Sequence, residues 1–136
     1  WNDNKVKMDT LEVDANDLVE QRSENGWQGM PDDAKIGHLH LKAADIGQSR
    51  HYYLDELGLD HVSDLPQAVF MSTNHYHHHI AFNTWQSNIL RQNNSQSLGL
   101  THIEIYKPNA QETQFIGPEG FEILVHSNTQ LVADKD

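Results

Sequence analysis

Hydrophobic and polar positions alternate in three stretches of this chain. In Ile36-Gly37-His38-Leu39-His40-Leu41-Lys42-Ala43, a period of two puts His38 and His40 on one face of a strand and Leu39 and Leu41 on the other. Leu100-Thr101-His102-Ile103-Glu104-Ile105-Tyr106 does the same, with His102 and Glu104 opposite Ile103 and Ile105. The third stretch, Tyr76-His77-His78-His79-Ile80-Ala81-Phe82-Asn83-Thr84-Trp85, runs three consecutive imidazoles into an apolar segment. Read as a strand throughout, it sends His77 and His79 to the face of Ala81, and His78 to the face of Ile80 and Phe82. Any one of these strands could be a half-buried strand with its polar side to solvent. Three of them in one short chain argue for imidazoles gathered for chemistry.

Helical spacing enters between the first two strands. Asp45 with Gln48 three residues later resembles a capping box, and Ile46, Ser49, Tyr53 and Leu57 then form one face. Gly58 stands where a helix ends in a left-handed residue. Strands are expected at 60–63 and 68–72, so the order up to the histidine strand is strand, helix, strand, strand, strand. A polar stretch at 86–99, centred on Asn93-Asn94-Ser95, reads as a surface loop. After residue 106, Pro108 interrupts and no helix-length pattern appears before Gly117-Pro118-Glu119-Gly120 and a last strand at 121–126. The first 31 residues are polar and acidic, with a strand-like patch at 6–11 and a helical turn near 16–21, broken by Asn25-Gly26 and Met30-Pro31. The expected division is a connector over residues 1–35, following a possible preceding domain, and one domain over 36–136.

Composition narrows the chemistry. A net charge of −11, from 20 acidic and 9 basic side chains, disfavours nucleic acid and anionic lipid as partners. With no cysteine, disulfides and thiolate metal sites are excluded, and a metal must be held by nitrogen and oxygen. No apolar run reaches membrane-spanning length and the start carries no secretion signal, so a cytoplasmic protein is expected. The missing initiator methionine fits either a piece of a longer protein or processing. No glycine-rich nucleotide motif and no serine nucleophile elbow occur.

Gly37-His38-Leu39-His40-Leu41, the helix ending Tyr52-Tyr53-Leu54-Asp55-Glu56-Leu57-Gly58-Leu59, the Tyr76 to Trp85 segment and Gly99-Leu100-Thr101-His102-Ile103-Glu104 together resemble the vicinal oxygen chelate superfamily. The likeness is greatest to the C-terminal domain of catechol 2,3-dioxygenase-like members of the glyoxalase family, and it covers roughly residues 24–126. It implies an α+β fold of paired βαβββ modules, their mostly antiparallel strands curled around a metal site. The second module is incomplete, because the helix and strand expected between His102 and the last strand have no counterpart between Pro108 and Gly117. By the resemblance His38 and His102 are metal ligands, and His78, second of the histidine pair before Ile80-Ala81-Phe82, is the acid/base residue. The family's third ligand, a glutamate four residues after the turn glycine, falls on Leu124, and Glu122 on the same strand face is the candidate substitute.

Two imidazoles and a carboxylate on one side of a metal leave open positions for substrate and oxygen, the arrangement of non-haem iron(II) oxygenases. The resemblance thus implies extradiol cleavage of a catechol-type aromatic diol by O2, with Fe(II), and with Mn(II) or Zn(II) as alternatives. His40, Phe82, Trp85 and Phe115 are candidates for the substrate pocket, with an ordinary core role as the competing reading of the aromatic residues. A paired N-terminal domain and a homo-oligomer are the expected protein partners. Two other functions stay open: a metal-free binding or structural module that has lost its third ligand at Leu124, and a glyoxalase-type isomerase or lyase.

Overall fold

The computed structural model describes residues 1–3, 6–9, 11–22, 24–87, 89 and 98–127. Its first module runs β1 (Leu39–Lys42), α2 (Ile46–His51), β2 (Asp60–Leu65), β3 (Ala68–Ser72) and β4 (Ile80–Asn83), after a short α1 (Ala15–Glu20) in the N-terminal segment. These strands form one sheet in the order β1-β4-β3-β2, with β1 and β4 parallel and the other neighbours antiparallel. The second sheet contains β5 (His102–Lys107), β6 (Thr113–Ile116) and β7 (Glu122–Ser127), in the order β5-β7-β6.

The second sheet is the first with parts removed. Parallel β5 and β7 repeat parallel β1 and β4, and antiparallel β7 and β6 repeat antiparallel β4 and β3. Among the described residues, the helix and the fourth strand of a βαβββ unit have no counterpart between β5 and β6. The apolar side of this sheet, which a helix of its own would cover, packs instead on residues of the first module. Ile103, Ile123 and Val125 share one core cluster with Leu41, Tyr53, Val69, Met71, Ile80 and Phe82, and Phe115 lies edge-on to Tyr52. One helix therefore serves both sheets, which is how a chain with half a second module still buries both apolar faces.

Local chemistry explains the helix. Asp45 accepts a hydrogen bond from the Gln48 amide at 2.9 Å, as the capping pattern requires, and Gly58 ends the element at φ +73°. Ser49 and Tyr53 are buried on the expected face. Past His51 the chain widens into a single π-helical turn (Tyr52–Glu56), closed by the Leu57 amide on the Tyr52 carbonyl. No side-chain pattern announced that turn.

Several expectations are corrected. Described residues of 6–11 form no strand; Met8 packs instead on Ala68, Phe70 and Ala81. The 86–99 loop lies largely outside the described residues. Strand β6 was not anticipated, since Thr113-Gln114-Phe115-Ile116 is too short and mixed to show a period, and pairing with β7 makes it a strand. The histidine run is not strand throughout, because β4 begins at Ile80. Asn74 and His75, at φ 56° and 57°, turn the chain just before it, so strict alternation fails at residues 77–78.

Candidate functional site

Parallel pairing of β1 with β4 sets the site. Leu39 pairs with Ile80 and His40 with Ala81, so residues entering the two strands, His38 on one side and His77 to His79 on the other, arrive side by side. Gly37 admits the phenol of Tyr76, whose oxygen lies 3.2 Å from where a Cβ would stand. Tyr76 in turn stacks on His79 with ring centres 4.7 Å apart. The His79 ring is held by Ser72 and by the Thr73 amide, which donates to its Nδ1 at 3.2 Å, so His79 serves the turn.

His78 occupies the centre. It is buried, with its ring 4.3 Å from His38, 5.2 Å from His40 and 5.2 Å from Phe70, centre to centre. It thus lies on the face of Phe70 and Ala81, not on the face of Ile80 and Phe82 that an unbroken strand implied. Its Nε2 is 3.3 Å from His40 Nε2 and its Nδ1 is 2.8 Å from His77 Nδ1. Burial first, and then the neighbouring imidazoles of His38, His77, His40 and His79, hold its pKa down at about 4 from the ordinary 6.5. His40 is lowered by burial and by His38, and His79 by burial and by His77. At neutral pH these three rings are therefore neutral, the state in which imidazole offers a lone pair.

Among the described residues, His38, His77 and His78 are the group whose ligand atoms all lie within 4.8 Å of one another. His102 and Glu122 are on the other sheet, outside that group, and are register partners of β5 and β7 on one face. His102 Nε2 lies 3.5 Å from Glu104 Oε1, His126 Nε2 lies 3.5 Å from Glu104 Oε2, and the Tyr106 hydroxyl donates to Glu104. Gln114 donates to Glu122. Leu124 is the register partner of Glu104, so a carboxylate stands directly beside the position where the resemblance puts a glutamate.

The aromatic pocket residues do not gather at the imidazoles. Phe82 is wholly buried in the core against Tyr53, and Phe115 packs there against Tyr52, because both alternate onto the apolar face. Trp85 is half exposed, its Nε1 donating to the Pro66 carbonyl at 2.9 Å. The aromatic ring that does meet the imidazoles is Phe70, which the sequence did not single out. All five residues of β3 are buried, so no alternation marked its inward face. His40 also lines a cleft of about 280 Å³ shared with Lys42, Leu100, Glu119 and Phe121. A larger cleft of about 680 Å³, lined by Asp45, Arg50, Asp64 and Gln67, contains none of the clustered imidazoles.

No protein-family profile matches the chain. It is 31% identical over 133 residues to catechol-2,3-dioxygenase of Bacillus subtilis strain 168, an alignment covering 93% of this chain and 47% of that protein. The chain therefore spans about half the length of the curated relative it matches. Among solved structures it is similar to lactoylglutathione lyase of Agrobacterium tumefaciens, with a TM-score of 0.51 at 17% identity, covering 72% of this chain and 96% of the lyase. That likeness is one of fold, and it agrees with the two open α+β sheets described above. The described residues contain no helix long and apolar enough to cross a membrane. The βαβββ topology, the 31% identity to the dioxygenase and the lyase-like fold together support a place for this chain in the vicinal oxygen chelate superfamily of glyoxalases and extradiol dioxygenases.

Proposed function

We propose that this chain is part of an iron(II)-dependent extradiol dioxygenase that opens a catechol-type aromatic ring with O2. The observation that supports this best is the neutral, buried His78 held against His38 at the entrance of the first module. In the reading, His38 holds iron together with His102 and Glu122, which face the same way from neighbouring strands. The donor types are those of non-haem iron, imidazole and carboxylate without thiolate, but the structure does not gather these three: among the described residues the ligand atoms grouped with His38 are those of His77 and His78. Bound iron supplies Lewis-acid activation of the diol and the means of bringing O2 into reaction with it.

The chain's own residues handle protons and exclusion of water. His78 takes a proton from the diol at one ring nitrogen and can return it later, with His40 Nε2, 3.3 Å away, as the next acceptor toward the surface. Burial of His78 beside Phe70 keeps bulk water from competing for that proton. The small cleft at His40 is close to the lower end of the volumes that take small ligands, roughly 300 Å³.

Anaerobic loading with iron(II), quantified by elemental analysis, followed by catechol and air with absorbance read for yellow product, tests the reading. Stoichiometric iron and a ring-opened product are expected. His102→Ala should abolish iron binding, and His78→Ala should keep iron and slow turnover by about 10²–10⁴-fold. Iron bound equally by wild type and His102→Ala would defeat the ligand assignment. A second reading, a metal-free binding module, is favoured by Leu124 at the expected ligand position and by the reduced second sheet. Protein that stays metal-free in excess iron would establish that reading instead.

A further inference from the structure

His77 has no part in the reaction proposed above, yet its ring belongs to the tightest group of potential ligands in the described chain. His38, just before β1, and His77 and His78, just before β4, place one nitrogen each within 4.8 Å of the other two. All three come from the first module, so no contribution from β5 or β7 is needed. Zinc–nitrogen bonds of about 2.0–2.1 Å at tetrahedral angles put neighbouring ligand nitrogens about 3.3 Å apart. The 2.8 Å between His77 Nδ1 and His78 Nδ1, and the 4.8 Å that bounds the set, bracket that spacing.

The surroundings suit a cation. The two Nδ1 atoms of His77 and His78 face each other, and His78 Nε2 faces His40 Nε2 at 3.3 Å. A proton on His78 Nε2, donated to His40, leaves the His78 Nδ1 lone pair turned toward His77, the way an outer partner orients a ligating imidazole. Tyr76 packs against His77, ring centres 4.1 Å apart. His38 is exposed, which gives an ion its entry path. Three imidazoles without thiolate or carboxylate prefer the late divalent ions to iron(II), following the general order of divalent affinities.

We propose that His38, His77 and His78 form a zinc(II) site within the first module, with His40 as its outer partner, and that zinc bound there inhibits the enzyme. The inhibition rests on the proposed function, because zinc captures its iron ligand His38 and its proton carrier His78. The zinc site itself does not depend on that function.

The test uses tag-free protein and zinc(II) as the probe, with equilibrium dialysis, and cobalt(II) absorption as a report of nitrogen ligation. Wild type and His102→Ala should bind one zinc with similar affinity. His77→Ala and His77→Gln, checked for fold by circular dichroism, should bind at least about 100-fold more weakly, above the roughly 10–100-fold cost of losing only an outer partner. Zinc should lower the turnover of iron-loaded wild type and leave iron-loaded His77→Gln active. Zinc affinity within twofold of wild type in both His77 variants would overturn the site, as would loss of zinc in His102→Ala. Zinc bound at the predicted residues without loss of turnover would overturn the inhibition. A protein that binds zinc as predicted but never opens a catechol ring would sink the dioxygenase reading and leave the zinc site standing.

Discussion

Tyr53→Phe removes a single oxygen, and the structure says where the cost falls. Glu119, in the turn before β7, is 6% exposed, and its two carboxylate oxygens each take a hydroxyl donor: Ser49 at 2.6 Å and Tyr53 at 2.9 Å. Burial raises the Glu119 pKa, and the two hydroxyls only partly pull it back. Tyr53 is wholly buried, so water cannot replace its hydroxyl after substitution. An unsatisfied buried acceptor of this kind costs about 1–3 kcal/mol. For a chain of 136 residues, a loss of about 2 kcal/mol is a fall in Tm of roughly 8 °C.

The cost should also depend on pH. A folded-state pKa raised above the unfolded value makes a contribution that is full below the unfolded pKa and is lost as pH rises through the folded one. Tyr53→Phe deletes a donor that lowers the pKa, so its cost should be larger at pH 8 than at pH 4, where a protonated Glu119 needs one acceptor lone pair less. Urea unfolding at both pH values measures this, and titration of groups common to both proteins cancels in the difference. The double variant Tyr53→Phe with Glu119→Met should recover part of the loss, since the orphaned acceptor is gone and Ser49 still has the Asp45 carbonyl at 3.0 Å. A cost below about 0.5 kcal/mol, or one equal at pH 4 and pH 8, would refute the reasoning.

Three shorter tests follow. Phe82→Ala empties the wholly buried position 4.5 Å from the Tyr53 ring centre and should cost about 3–5 kcal/mol in urea unfolding. Asp45→Ala removes the cap on the Gln48 amide and should cost about 1 kcal/mol, read as a lower urea midpoint with unchanged slope. In metal-free protein, His78 binds fewer protons folded than unfolded between pH 6.5 and about 4, so its contribution is full above pH 6.5 and is lost as pH falls to about 4. His78→Asn should flatten that part of the stability profile.

Much of the first module was legible from one dimension. Alternation in 36–43 and 100–106 separated Leu41 and Ile103 from His40, His102 and Glu104, and the structure buries the first two and leaves the others on the polar faces. Asp45, Gln48 and Gly58 marked the helix because caps and left-handed residues act within a few positions of themselves. The reduced second module was visible as a stretch between Pro108 and Gly117 too short for a helix.

What sequence alone could not settle depends on partners distant along the chain. The turn at Asn74-His75 broke the histidine period and brought His78 onto the Phe70 face, and only the parallel pairing of β1 with β4 brought His38 to it. The sequence left Phe82 and Phe115 open between pocket and core, and the structure places both in the core that the two sheets share. The Glu119 clamp joins residues 66 and 70 positions apart, beyond any local pattern. Periodicity is a property of each strand by itself, whereas register, facing and convergence of donors are settled when strands pair and apolar faces find cover.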